Sequence, residues 1–262
     1  MSLSQSLLNL AVAFIVFGMI FRPLEMVFPA REQAFQRAHW LADLGFMVGQ
    51  YLLWNGLLFL ALEHLRFWVD SFFSAGYVAA LRAQPLWLHA LEAVFLSDLS
   101  IYWAHRLQHR WDWLWRFHAV HHSAEHLDWL AAHREHPLDS IYSVCAMNLP
   151  IFLIGFPLET LGWLLAFRGL WAIFIHSNIR MPLGIFGLLA GSPAFHHWHH
   201  AKDRDVGNYA NLSPLMDVLF GTHHAPETAP ESLGLKEKMP QSYLGLLWHP
   251  FRRRERTPKT TE

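Results

Sequence analysis

The chain has 262 residues, enough for one domain or two, and a formal net charge of -1, which excludes a global basic field for nucleic acid. Hydrophobic residues make up 53% and charged residues 16%, well below the roughly 25% charge of soluble domains, so lipid is the expected solvent for part of the chain. A single cysteine, Cys145, excludes an internal disulfide and any multi-cysteine zinc, iron–sulfur or redox site, whereas 19 histidines in so apolar a chain require a reason.

In chain order, residues 7–28 form the first apolar stretch, with Arg22, Pro23 and Glu25 near its end. It reads as a membrane helix. No positive charge precedes it and no clean small-residue cleavage site follows, so it does not read as a secretory signal. Residues 40–62 form the second stretch. Residues 64–84 are expected to lie outside with a short helix, although they carry Arg66 and Arg82. The third stretch, 85–104, contains Asp98. Residues 140–156 and 158–175 form a fourth and fifth, parted by Gly155-Phe156-Pro157 and short enough to make a helical hairpin. A helix of about 20 residues crosses the hydrocarbon core, so the expectation is an all-α integral membrane bundle of four or five spanning helices. The rival is a soluble bundle of buried helices. Cys145 lies within an apolar run, where a packed thiol is expected.

Arginine placement sets the expected orientation. Residues 1–21 carry none, the next loop has Arg22, Arg31 and Arg37, and the region after the third stretch has Arg106, Arg110, Arg116 and Arg134. The N-terminus then lies outside, and residues 22–39, 105–137 and the C-terminal third form a cytosolic helical cap. Trp111, Trp113 and Trp115 are expected at the interface. Three parts result: N-terminal membrane helices and loops (1–84), a catalytic region (85–225) and a basic, loosely ordered tail (226–262). The tail's Arg252, Arg253, Arg254 and Arg256 either meet water or touch anionic lipid. The chain has no internal repeat.

Three histidine clusters carry the chemistry. His105 and His109 lie in HRLQH; His118, His121 and His122 lie in HAVHH; His196, His199 and His200 lie in HHWHH, with His197 as an extra copy. Spacings of three and four put such residues on one helix face. Eight imidazoles exceed the four to six ligands of one metal and suit two. Without metal, each ring nitrogen would need its own hydrogen-bond partner. His176, at the end of the fifth stretch, is a candidate ninth ligand, and His136 a further one, with a satisfied non-ligating histidine as the alternative for both. Asp98 and Tyr102 precede His105 by seven and three residues and share its helix face. Asp98 is expected to accept a ligand ring N–H, or else to be a solvated carboxylate at the helix end. His39, His64, His89, His126, His133, His223, His224 and His249 are expected at surfaces or interfaces.

The stretches YWAHRLQHRWDWLWRFHAVHHSAEHLDWLAAHREHPLD and FHHWHHAKDRDVGNYANLSPLMDVLFGT, with HSN at His176, resemble the fatty acid hydroxylase superfamily, also called the sterol desaturase family. The resemblance runs from about Asp98 to Thr222. It implies a helical membrane domain whose cytosolic cap holds two iron ions on the eight motif histidines, with His176 as a further ligand. Arg180 stands where some members carry another histidine, and Met216 where tryptophan is frequent. Asp205, Asn208 and Asp217 fall in the family-like stretch as structural or ligand-supporting residues. The implied activity is hydroxylation or desaturation of an unactivated C–H bond of a lipid drawn from the bilayer, with O2. Electrons would come from a separate protein, a ferredoxin or small cytochrome with its reductase, since the chain has no dinucleotide or haem motif. Zinc is the expected substitute in purified protein, and a bacterial inner membrane the expected location. Two rivals are a zinc-dependent membrane hydrolase and a metal-binding or transport protein. The first lacks an HExxH motif and has too many imidazoles for an open three-ligand site. The second would need ionisable residues deep in several spans.

Overall fold

Ser2 opens the first helix by accepting a hydrogen bond from the backbone N–H of Gln5, and α1 (Leu3–Val27) follows. The computed structural model describes residues 2–34, 36–156, 158–181, 183–226 and 228–252. Leu7, Val12, Ile15 and Met19 of α1 face outward, and only 11% of its most apolar window is buried by the rest of the chain. A largely apolar helix that buries so little against its own chain is suited to lipid around it. The second long helix is composite. α2 (Trp40–Gly49) passes through a π turn, Gln50–Trp54, into α3 (Asn55–Asp70).

These two, Leu3–Val27 and Trp40–Val69, are long and apolar enough to cross a membrane. The short helix expected before the third stretch is α4 (Ala75–Arg82). α5 (Leu86–Arg110) has the length of a span, but His89, Glu92 and Asp98 interrupt its apolar run. α7 (Pro137–Leu153) has 17 residues, about 25 Å of helix against a core of about 30 Å. It turns at Gly155, whose φ of 84° favours glycine, into α8 (Leu158–His176). Among the described residues, two helices are long and apolar enough to span, and the α7–α8 hairpin adds two shorter apolar helices to the all-helical bundle that was expected. One apolar core joins α3, α5, α7 and α8 around Leu62, Ala93, Ile151, Phe152 and Leu164.

The remaining helices build the cap: α6 (Asp112–His122), α9 (Pro193–His199), α10 (Leu215–Leu219) and α11 (Tyr243–Trp248). Phe21, Met47, Trp129, Ile173 and Ile179 tie it to α1 and α2. No strand occurs among the described residues, only the isolated bridges Pro29–Ile179 and Ala201–Leu233. The C-terminal stretch differs from the loose chain expected. Leu246 of α11 is fully buried with Ala42, Phe46 and Val120. Tyr243 lies over Gly45 and Gly49, where added Cβ atoms would come within 2.9 Å and 2.4 Å of it. Two glycines one helical turn apart thus open the groove that fixes the chain end. Arg253, Arg254 and Arg256 lie outside the described residues.

Candidate metal centre

The last turn of α5 carries His105 and His109, and α6 carries His118, His121 and His122. Trp111, in extended conformation, breaks the chain between the two helices so that both histidine faces turn to the same space. His176 ends α8. Ser192 caps α9 by accepting from the N–H of Phe195, Pro193 takes the first helical position, and His196, His199 and His200 follow.

The nine histidines form two groups. His105, His109, His118, His122 and His199 make the first; His121, His176, His196 and His200 make the second. Within each group the candidate ligand atoms lie within 4.8 Å of one another. His121 and His122 are neighbours on α6, and the helical rotation between them sends each to a different group.

The outward nitrogens fix the tautomers. His121 Nδ1 donates to the Arg134 carbonyl at 3.1 Å and His176 Nδ1 to that of Ala172 at 2.6 Å. His105, His109 and His199 donate to the carbonyls of Tyr209, Arg204 and Gly207 at 2.7, 2.5 and 2.8 Å. A neutral imidazole that donates from Nδ1 has a bare Nε2. His121 Nε2 and His176 Nε2 nonetheless face each other at 3.0 Å. Two lone pairs at that distance repel unless a cation lies between them. Protonation does not supply it: burial holds His105 and His121 down to about 4, and burial with neighbouring histidines holds His109, His122 and His199 well below the ordinary value. Nε2 of His109 and of His199, both buried, have no hydrogen-bond partner. Converging imidazoles, five of them with the outer N–H held by a carbonyl, fit two metal ions of the iron, zinc, copper or nickel type.

The supporting residues differ from those expected. Asp98 pairs with Arg168 at 2.7 Å and touches no histidine. The carboxylate on a ring N–H is Asp139, in the first turn of α7: its Oδ2 accepts from His118 Nδ1 at 2.9 Å and its Oδ1 from Gln108 at 2.6 Å. Burial, with Glu135 nearby, pushes Asp139 well above the carboxylate range, and a cation on His118 would oppose that. Tyr102 works at one remove. Its hydroxyl meets Thr222 Oγ1 at 2.9 Å, Thr222 donates to Asp217, and Asp217 accepts the N–H groups of Tyr209 and Ala210. That chain holds the loop whose Tyr209 carbonyl anchors His105. Asn208, at a φ of 58°, braces the same loop through Phe195 and His224, whereas Asp205 is half-exposed near Arg110.

His136 belongs to neither group. Its Nδ1 accepts from Leu138 N–H, starting α7, and its Nε2 donates to the Leu247 carbonyl. His197 Nε2 donates to Ser177. His89 and His133, expected at surfaces, are buried: His89 stacks on Phe156 and His133 donates to Gln50. Trp115, expected at the interface with Trp111 and Trp113, is buried against His109 and His122 at 5.1 and 5.4 Å between ring centres. Two further features were not foreseen. Glu25 of α1 accepts the N–H groups of Trp129 and Asn178, the latter two residues past His176. A buried network of Arg37, Asp43, Asp128 and Arg134 fixes the segment whose Arg134 carbonyl holds His121.

The fatty acid hydroxylase family model matches residues 90–222. The ornithine lipid hydroxylase OlsE of Rhizobium tropici is 30% identical over 196 residues, 74% of this chain and 56% of the relative. The alkylglycerol monooxygenase of Homo sapiens is 32% identical over 130 residues, 49% of this chain and 29% of the relative. A very-long-chain aldehyde decarbonylase of Oryza sativa is 33% identical over 131 residues, 48% of this chain and 49% of the relative. The chain thus spans between about a third and just over half of the length of these relatives, and no solved structure matches it. On the family match and the histidine pattern that lies within it, the chain belongs to the fatty acid hydroxylase family.

Proposed function

We propose that this chain is a membrane-bound di-iron oxygenase that hydroxylates or desaturates an unactivated C–H bond of a lipid, using O2 and electrons from a separate carrier protein. The observation that carries the reading is the convergence of nine imidazoles on two points, with bare Nε2 atoms facing each other in the second group. His105, His109, His118, His122 and His199 would hold one iron, and His121, His176, His196 and His200 the other. Two irons there would supply dioxygen activation.

The chain's own residues set the conditions. Backbone carbonyls and Asp139 engage the outer Nδ1–H groups of His105, His109, His118, His121, His176 and His199, so their Nε2 atoms stay free to bind metal. Burial of the histidines excludes bulk water from the centre. The four-histidine group has one ligand fewer, which leaves it the more open position. The long exposed apolar helices support delivery of substrate from the bilayer. Relatives named for ornithine lipids, alkylglycerols and very-long-chain aldehydes support the lipid class. The basic residues that follow α1 and α5 support a cytosolic placement of the cap. A zinc hydrolase fits less well, because neither group contains a carboxylate placed as a general base beside an open three-ligand metal.

The test is metal content by plasma mass spectrometry of detergent-purified protein from iron-replete cells, with His121→Ala alongside, followed by incubation with lipid extract, reductant and 18O2. About two irons per chain, reduced in the variant, with 18O in a lipid product or a new double bond, is the expected result. Absence of bound metal overturns the reading, as does lipid hydrolysis without oxidation.

A further inference from the structure

A cleft on the cap is bordered by Trp115 and by none of the nine proposed ligands. It has a volume of about 750 Å³ and is lined by six cationic side chains against two carboxylates. The cations are Arg116, Lys202, Arg204, Lys236, Lys238 and Arg252. Lys236 pairs with Asp203 and Arg204 with Asp112, which leaves Arg116, Lys202, Lys238 and Arg252 against Glu237 alone. In a chain of net charge -1, this is a concentrated positive field.

The floor of the cleft is tied to the metal centre. The Arg204 guanidinium covers the Trp115 ring at 4.7 Å, and the same ring lies 5.1 Å from that of His109 and 5.4 Å from that of His122, centre to centre. Arg204 also accepts the His109 Nδ1 proton on its carbonyl. Trp115 is 6% exposed and Arg204 packs over it, so the floor is closed to atoms. A substrate carbon needs an opening to reach the centre. An electron needs only close ring contacts. The cleft is therefore suited to reductant delivery and not to lipid entry.

We propose that this cleft is the docking surface for an acidic one-electron carrier protein, and that Trp115 carries the electron from it to the His109–His122 side of the centre. The proposal rests on the oxygenase reading above. In each transfer the carrier loses one electron and the centre gains one. Two transfers, with two protons from water, balance the reduction of O2 to one hydroxyl inserted in the lipid and one water. The acidic face of the carrier is recognised by Lys202, Lys238, Arg116 and Arg252, and binding weakens with salt as screening rises.

The experiment measures the affinity of the iron-loaded protein in nanodiscs for an acidic [2Fe–2S] ferredoxin, with a basic cytochrome c and anionic vesicles as comparison ligands. The variants are the surface double substitution K202E and K238E, and Trp115→Leu. The double variant is expected to keep its iron and bind ferredoxin roughly tenfold more weakly at low salt. Trp115→Leu is expected to keep the wild-type affinity while ferredoxin-driven reduction slows and dithionite-driven reduction does not. Equal ferredoxin affinity of wild type and double variant, with iron retained, overturns the docking surface and leaves the oxygenase reading standing. A loss confined to anionic vesicles also overturns it and assigns the cleft to lipid headgroups. Wild-type protein that holds no iron overturns the reading on which the proposal rests.

Discussion

Asp139 and His136 sit three residues apart, and only one of them serves the centre. Asp139→Asn is expected to lower metal affinity about 10- to 100-fold, read by chelator competition, because His118 loses the carboxylate that orients its ring. His136→Ala is expected to leave metal content unchanged and lower stability by on the order of 1 kcal/mol, through loss of the cap on α7. Eight of the nine proposed ligands were legible from sequence, because spacings of three and four fix which side chains share a helix face whatever the helix packs against, whereas His176 offered only its place at the end of an apolar stretch. Their outer partners were not. Four of the anchoring carbonyls belong to Tyr209, Arg204, Gly207 and Arg134, on loops or turns placed only by tertiary packing, and a carbonyl has no signature in the sequence. Asp98 shows where face arguments stop. Seven residues put it on the face of His105 but about 10 Å along the axis, beyond hydrogen-bond reach.

At the scale of elements, the apolar stretches announced every long helix, and their lengths and polar interruptions separated two full spans from the α7–α8 hairpin. The seat of α11 was hidden because composition cannot show that Gly45 and Gly49 form a groove for a ring some 200 residues later. Gly49→Leu is expected to unseat α11, since even a Cβ there would lie 2.4 Å from the Tyr243 hydroxyl oxygen. Hydrogen exchange at residues 243–248 should accelerate, with little change in α8. Leu246→Ala, which leaves the groove intact, should cost about 2–5 kcal/mol in stability without freeing the segment completely. The π turn between α2 and α3 was equally invisible to periodicity. It begins at Gln50, whose side chain receives the His133 ring proton.

For the molecule as a whole, pH and metal act on the same cap. Burial holds His133 and His136 down to about 4, against about 6.5 in an unfolded chain. Between those values the unfolded state binds more protons, so their contribution to stability is full above about pH 6.5 and is lost as pH falls toward 4. Thermal melts in detergent are expected to show a Tm that drops from pH 7 to pH 5, and drops less in His133→Asn. A second consequence follows from the way the ligands are distributed. α6 and α9 each supply both groups, while α5 and α8 supply one apiece, so the first group closes only when His105 meets His199 and the second only when His121 meets His200. A protein with a single cysteine cannot staple its helices through sulfur. Here the bound ions would act as the cross-link, closing a loop of nearly a hundred residues and removing its entropy from the unfolded state. Assembly of the cap and uptake of metal would then be one event, and any chain ending before Pro193 would be a set of membrane helices with half a knot.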